Sequence, residues 1–246
     1  MKHHTLQGAG LALRPALIAT LKNRAPNNLQ FSNLQFLEIT PADWIGLSGQ
    51  QHADLMQLTQ RYPSVCFSQS LSLGGPSPLD KQVLRDLRAF MAEHNIQVFS
   101  EALAWSADDA PLFINLPIPS TREAVDWTVS RIAQVQDALG LRIGIRNVAH
   151  RMKPTQVQMD EAQFISVVVK KAGCSLHLDL HALTINALRF GFDPHAFLKA
   201  LPLASVDYVR VGDDDALLQE VLARTHLRMA RCVDDVKQLK VEEPTC

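Results

Sequence analysis

The sequence has no apolar run near the roughly 20 residues that a membrane helix needs, and its start, MKHHTLQGAGLALRP, lacks the long apolar region of a signal peptide. The expectation is a soluble cytoplasmic protein with no membrane partner. An excess of one charge is missing too: 24 basic and 25 acidic residues are scattered along 246 positions for a net charge of -1, which disfavours nucleic acid or a strongly acidic partner. Cysteine is scarce and dispersed. Cys66, Cys174, Cys232 and Cys246 form no Cys-x-x-Cys pair, so neither a zinc knuckle nor a thioredoxin-type motif is present; the first two read as buried free thiols. The Gly- and Pro-containing stretch SLSLGGPSPLD has neither G-x-G-x-x-G nor a Gly-Lys-Ser/Thr ending, which makes it a weak phosphate loop. No Gly/Ser linker, low-complexity segment or repeat divides the chain. It reads as a single domain over 1–246 with a frayed tail at about 237–246.

What is present is ordinary globular composition, 47% hydrophobic and 20% charged, arranged as short apolar runs alternating with longer helical patterns. Eight strands are predicted: 8–13, 35–40, 64–69, 97–103, 142–147, 175–181, 207–211 and, most weakly, 226–230. Helices are predicted over 15–22, 51–61, 79–94, 121–139, 160–172, 194–200 and 214–223. Ser120 with Glu123 has capping-box spacing, and Gly140 and Gly173 follow two of the helices. Repeated strand–helix units at this length argue for a closed (β/α)8 TIM barrel, irregular or shortened at its last units; an open doubly wound sheet is the alternative.

A barrel of this kind does its chemistry at the C-terminal ends of its strands. Those ends offer Glu38, Thr40, Phe67, Gln69, Glu101, Arg146, Asn147, Asp179, His181 and Arg210, followed by the acidic run Asp213–Asp215. In CSLHLDLHALTI, alternate positions bring His177, Asp179 and His181 to one face if the strand continues through them, and imidazole and carboxylate are common ligands of transition metals. The outer two are roughly 13 Å apart by strand rise, so one ion would need ligands from elsewhere. Arg146 and Arg210 are cations within apolar strands and need partners, for which Glu101 and Asp179 are the expected carboxylates. Glu101 in its apolar setting also reads as a general base or ligand. Asp213–Asp215 reads as a solvated helix start, and Trp105 and Trp127 as packing.

The ordered segments LSLGGPSPLD, SEALAW, LPIPSTREAVDWTVSRIAQVQDALG, RN, DEAQF, GCSLHLDL and GFDPHAFLKALPL resemble the family catalogued as domain of unknown function 692, which includes MbnB-like enzymes of methanobactin biosynthesis. The resemblance covers about 8–211. It implies a xylose-isomerase-like TIM barrel with a multinuclear iron site, oxidative modification of peptide cysteines, and a small partner protein. Set against that family's motifs, Glu101, Asn147 and Asp179 are kept. Its ligand histidines fall on Thr40, Phe67, Ala102, Arg210 and Asp214, an aspartate on Ile114, a glutamate on Arg146, and an asparagine on His181.

Guanidinium groups cannot be deprotonated to bind a metal and repel a cation by several kcal/mol at about 4 Å. The expectation is therefore no cofactor and a mouth of ion pairs among Glu101, Asp179, Arg146 and Arg210. The functional expectation is a noncatalytic or functionally diverged relative, a pseudoenzyme that keeps a peptide- or partner-binding surface. Two alternatives stay open. One is an enzyme with a new mononuclear site for iron or another divalent transition metal, built from Glu101, Asp179 and His181, with His177 as a further ligand. The other is a metal-independent enzyme that holds an anionic substrate through Arg146 and Arg210.

Overall fold

The computed structural model describes residues 8–22, 33–108, 110–211, 215–225 and 230–233. Eight strands form a closed parallel barrel: β1 (Ala9–Ala12), β2 (Leu34–Ile39), β3 (Ser64–Ser68), β4 (Phe99–Ala102), β7 (Gly144–Arg146), β8 (Ser175–Asp179), β9 (Val206–Arg210) and β10 (Ala230–Val233). Closure runs through β10, which pairs with β9 (Cys232 with Arg210) and with β1 (Gly10 with Cys232). The expected TIM barrel is thus present. Its last strand begins where the 226–230 expectation ended; 226–229 and the expected tail lie outside the described residues. No helix of the described residues is long and apolar enough to cross a membrane.

The period-2 side-chain alternation of the strands divides the interior into two cores. Leu37, Ile39, Cys66, Phe99, Ile145, Leu176, Leu178 and Val209 face outward into a continuous strand–helix layer. Phe36, Val65, Tyr208 and Cys232 fill the barrel. Gly144 lets the His177 ring lie flat against β7, where a Cβ would overlap the imidazole. Cys66, Cys174 and Cys232 are all buried free thiols.

Around the barrel lie α1 (Ile18–Lys22), α2 (Gly49–Arg61), α3 (Lys81–Glu93), α4 (Arg122–Leu139), α5 (Glu161–Ala172), α6 (Leu180–Phe190), α7 (Pro194–Ala200) and α8 (Asp215–Arg224). Gly140 and Gly173 end α4 and α5 in the left-handed conformation, as expected of C-terminal glycines. The cap of α4 is Thr121, whose hydroxyl accepts from the Ala124 amide, and not Ser120; the capping box lies instead at Asp160 and Gln163.

Two elements depart from the sequence reading. A hairpin of β5 (Trp105–Ala107) and β6 (Pro111–Leu116) follows β4. Helix α6 starts directly on the last residue of β8, with Asp179 as its N-cap accepting from the Ala182 amide at 2.8 Å. The predicted strand 175–181 therefore ends at Asp179. His181 belongs to the first turn of α6 and is exposed, so it does not share a face with His177 and Asp179.

Candidate functional site at the barrel mouth

Alternation carries Glu38, Phe67, Ala102, Arg146, Asp179 and Arg210 to the inner face at or near the C-terminal ends of β2, β3, β4, β7, β8 and β9. Glu38 is the hub. Its Oε2 accepts hydrogen bonds from Arg146 Nη2 and, at 2.5 Å, from the Tyr208 hydroxyl, while Oε1 accepts from Arg210 Nη1 at 2.9 Å. Burial by itself would raise the Glu38 pKa, but the two guanidinium groups and the Tyr208 hydroxyl hold it down at about 2. Arg210 also faces Asp179, with Nε 3.6 Å from Oδ2.

Arg146 is only 1% exposed, and its guanidinium carbon stands 3.7 Å from the centre of the Phe67 ring. Its Nε and Nη1 have no hydrogen-bond partner among the described residues. The aromatic face below and the Tyr208 ring, 5.3 Å away, compensate part of the charge through cation–π attraction. Phe67 also packs with Ala102, Ala104 and Val148 in a small apolar cluster. Burial and the neighbouring Arg146 push the His177 pKa down to about 3, so this imidazole is neutral; its ring lies 5.2 Å from that of Tyr208.

Asp179 and Asn147 form a backbone clasp: Asn147 Nδ2 donates to the Asp179 carbonyl and Asn147 Oδ1 accepts the Asp179 amide, both at 2.8 Å. Burial raises the Asp179 pKa against the opposing pull of Arg146 and Arg210. The expected contact of an arginine with Asp179 is thus made, as an ion pair, through Arg210.

Glu101 departs from expectation. It shares the strand face of Phe99, which packs in the strand–helix layer, whereas the arginines face the barrel interior. The strand alternation separates it from Arg146, and Glu38 takes the place assigned to it in the ion-pair cluster. Glu101 is fully buried, and its Oε1 accepts the Leu71 amide at 3.0 Å. Burial pushes its pKa up to about 8, against hydrogen bonds from the Ser68 side chain and the Leu71 and Ser72 amides. It is therefore largely a neutral carboxylic acid at pH 7, anchoring the loop after β3.

That loop is the LSLGG segment, and its composition follows from its contacts. Ser72 sits at φ 49°, an uncommon conformation for a residue other than glycine. Its hydroxyl donates to the Ala107 carbonyl at 2.7 Å and accepts the Ser106 and Ala107 amides, which ties the loop to the β5–β6 hairpin. Gly74 leaves room for Ile118, which a Cβ would overlap. From α4, the buried Arg131 donates to the carbonyls of Leu71, Ser72 and Ser77. The sequence reading missed Arg131; a cation among the apolar positions of α4 was its signal.

Next to the mouth is a cavity of about 530 Å³, lined by Leu103, Ile118, Met152, Phe164, Phe192 and Phe197 among others. Leu103 directly follows β4 and its amide bonds the Arg146 carbonyl, so the cavity begins at the strand ends. The volume and apolar lining are those of a small-molecule or side-chain pocket.

The donor set does not fit the multinuclear iron centre that the resemblance implies. Phe67 and Ala102 are packed together at positions where the resemblance implies histidines, and Arg146 lies on Phe67 where it implies a carboxylate. Arg210 is committed to Glu38 and Asp179, Thr40 offers a hydroxyl, and Asp214 lies outside the described residues. The alternative set of Glu101, Asp179 and His181, with His177 as a further ligand, is not assembled either. Glu101 lies on the face opposite the mouth-facing residues, and His181 is exposed on α6.

The solved structures that resemble this fold include a D-allulose 3-epimerase from Methylomonas sp., at 14% identity and TM-score 0.64 over 96% of this chain and 86% of that one. A family 2 AP endonuclease from Brucella melitensis aligns at 13% identity and TM-score 0.54 over 92% of each chain. At such identity they speak for the fold, a xylose-isomerase-like TIM barrel. Among relatives by sequence, a UPF0276 protein of Nitrosospira multiformis is 36% identical over 221 residues, covering 90% of this chain and 76% of its own. One of Pseudomonas aeruginosa is 35% identical over 227 residues, with 92% and 78% covered. Residues 8–240 match the family described as RiPP precursor modification enzyme MbnB/TglH/ChrH, and the chain belongs to that family.

Proposed function

We propose that this chain is a functionally diverged, noncatalytic member of its family, whose barrel mouth no longer holds iron and whose remaining task is to bind a peptide or small partner protein. The observation that carries the reading is Arg146: a permanently charged group, buried, stacked on Phe67 and bonded to Glu38 in the space that ligands would share. Removing the metal from such a mouth leaves carboxylates that need compensation, and two arginines supply it. A cation added to this cluster would meet two guanidinium groups, with the hub carboxylate already accepting three hydrogen bonds. The apolar cavity beside the mouth supports the binding half, since an apolar peptide side chain is the ligand its lining suits.

An arginine-held anionic substrate is the less favoured reading. Arg146 is turned away from solvent, and both guanidinium groups are engaged by Glu38. The test is iron content after anaerobic incubation with Fe(II) and desalting, measured on the wild type and on Asp179→Asn. The expected result is no iron that depends on Asp179. Stoichiometric iron retained by the wild type and lost from Asp179→Asn would overturn the proposal.

A further inference from the structure

Away from the barrel mouth, His52 on α2 meets Glu93 and His94 at the end of α3. We propose that these three side chains form a binding site for one divalent transition-metal ion of the zinc type, clamping α2 to α3 on the outer layer of the barrel.

The geometry is that of a two-histidine, one-carboxylate donor set. One ligand atom from each of the three residues lies within 4.8 Å of the others. His52 Nε2 is 2.8 Å from Glu93 Oε1, and His94 Nε2 is 3.9 Å from Glu93 Oε2. An exposed His–Glu contact alone indicates nothing about a metal. His94 sets this cluster apart.

His94 is 4% exposed, packed on the Phe90 ring at 4.5 Å between centroids. Its Nδ1 is 3.0 Å from the Thr59 hydroxyl, which itself donates to the Met56 carbonyl at 3.2 Å. A hydroxyl has one proton to give. When that proton goes to Met56, Thr59 accepts from His94 Nδ1–H, and this tautomer leaves a bare lone pair on Nε2. That Nε2 is buried without a hydrogen-bond partner among the described residues, 3.9 Å from Glu93 Oε2. A cation between the two would give this orphaned buried nitrogen a partner.

The arrangement has the parts of a metal site. The Nδ1–H bond to Thr59 is the outer hydrogen bond that orients a ligating histidine. Imidazole and carboxylate together suit zinc, cobalt or nickel rather than calcium or magnesium. His52 and Glu93 have side-chain exposures of 40% and 46%, which leaves the outer side of the ion open to water as its remaining ligand. None of the three residues belongs to the mouth described above.

The experiment is titration of metal-free protein, freed of any affinity tag, with Zn²⁺ by calorimetry and with Co²⁺ by its visible absorption. The proteins compared are the wild type, His52→Ala, Glu93→Gln and Asp179→Asn. His52 and Glu93 are chosen because their partial exposure lets the fold tolerate replacement, where the buried His94 would not. The expected result is one equivalent bound by the wild type and by Asp179→Asn, with affinity lowered about tenfold or more in His52→Ala and Glu93→Gln. No binding by the wild type up to millimolar metal, or binding unchanged in both α2 and α3 variants, overturns the site. Binding abolished only by Asp179→Asn overturns it as well, and places the ion in the barrel mouth.

Discussion

Replacing Glu38 by glutamine removes the one carboxylate that accepts from Arg146, Tyr208 and Arg210 together, while leaving the shape of the cluster almost unchanged. Arg146 then remains buried, with Asp179 the remaining carboxylate acting on it among the described residues. Breaking a buried pair on one side costs about 3–5 kcal/mol. Linkage gives a second route to the magnitude. A Glu38 pKa lowered from 4.5 to about 2 corresponds to about 3 kcal/mol favouring the folded state above pH 4.5, lost as pH falls through the folded value. The two figures agree, so Glu38→Gln should lower the urea-unfolding free energy at pH 7 by about 3 kcal/mol or more and remove most of the wild type's loss between pH 4.5 and 2. Adding Arg146→Met should recover most of the deficit, because a neutral side chain of similar length no longer needs a counter-charge on its bed of Phe67. Urea titrations of the wild type, both single variants and the double variant measure the coupling. A Glu38→Gln cost under about 1 kcal/mol, or a double variant as unstable as the two losses added, would refute the cluster's energetics.

Glu101 has the opposite sign. Its pKa is raised to about 8, so its contribution is fully present below the unfolded value of 4.5 and is lost as pH rises through about 8, by up to about 5 kcal/mol. Glu101→Gln should flatten the stability profile between pH 5 and 9, and an unchanged slope there would mean that the carboxyl is ionised in the folded state. For the cavity, fluorescent cysteine-containing peptides with apolar flanks should bind the wild type and bind Val157→Asp more weakly by anisotropy, since Val157 is a 62% exposed part of the lining. Failure of every such peptide to bind the wild type would remove the peptide-binding half of the proposed function.

Much of the barrel was legible because strand–helix alternation is a local property. Apolar spacing and Gly140 and Gly173 as helix stops are written within a few residues of where they act, whereas the capping box expected at Ser120 and Glu123 gave way to a Thr121 cap. The stretch HLDLH shows the limit. Period-2 spacing extended the strand through His181, but Asp179 followed by LHALTINALRF is also a helix cap with apolar residues at 180, 183 and 187. The cap prevailed because the Asp179 carboxylate satisfies the Ala182 amide, and the turn of α6 carries His181 away from the mouth.

By itself the sequence determined the repeat of strand and helix and the charges stationed at strand ends, and set arginine, phenylalanine and alanine at positions where the family resemblance implies metal ligands. Which carboxylate answers which arginine was decided only in the closed barrel. Glu38 and Arg146 are 108 positions apart, and Glu38 and Arg210 are 172 apart. Their meeting depends on the strand order and on which way each side chain faces when β10 joins β1 to β9. Glu101, one residue from the inward-facing Ala102, was turned to the other side of its strand by the same alternation, and closure left it a buried neutral acid holding a loop.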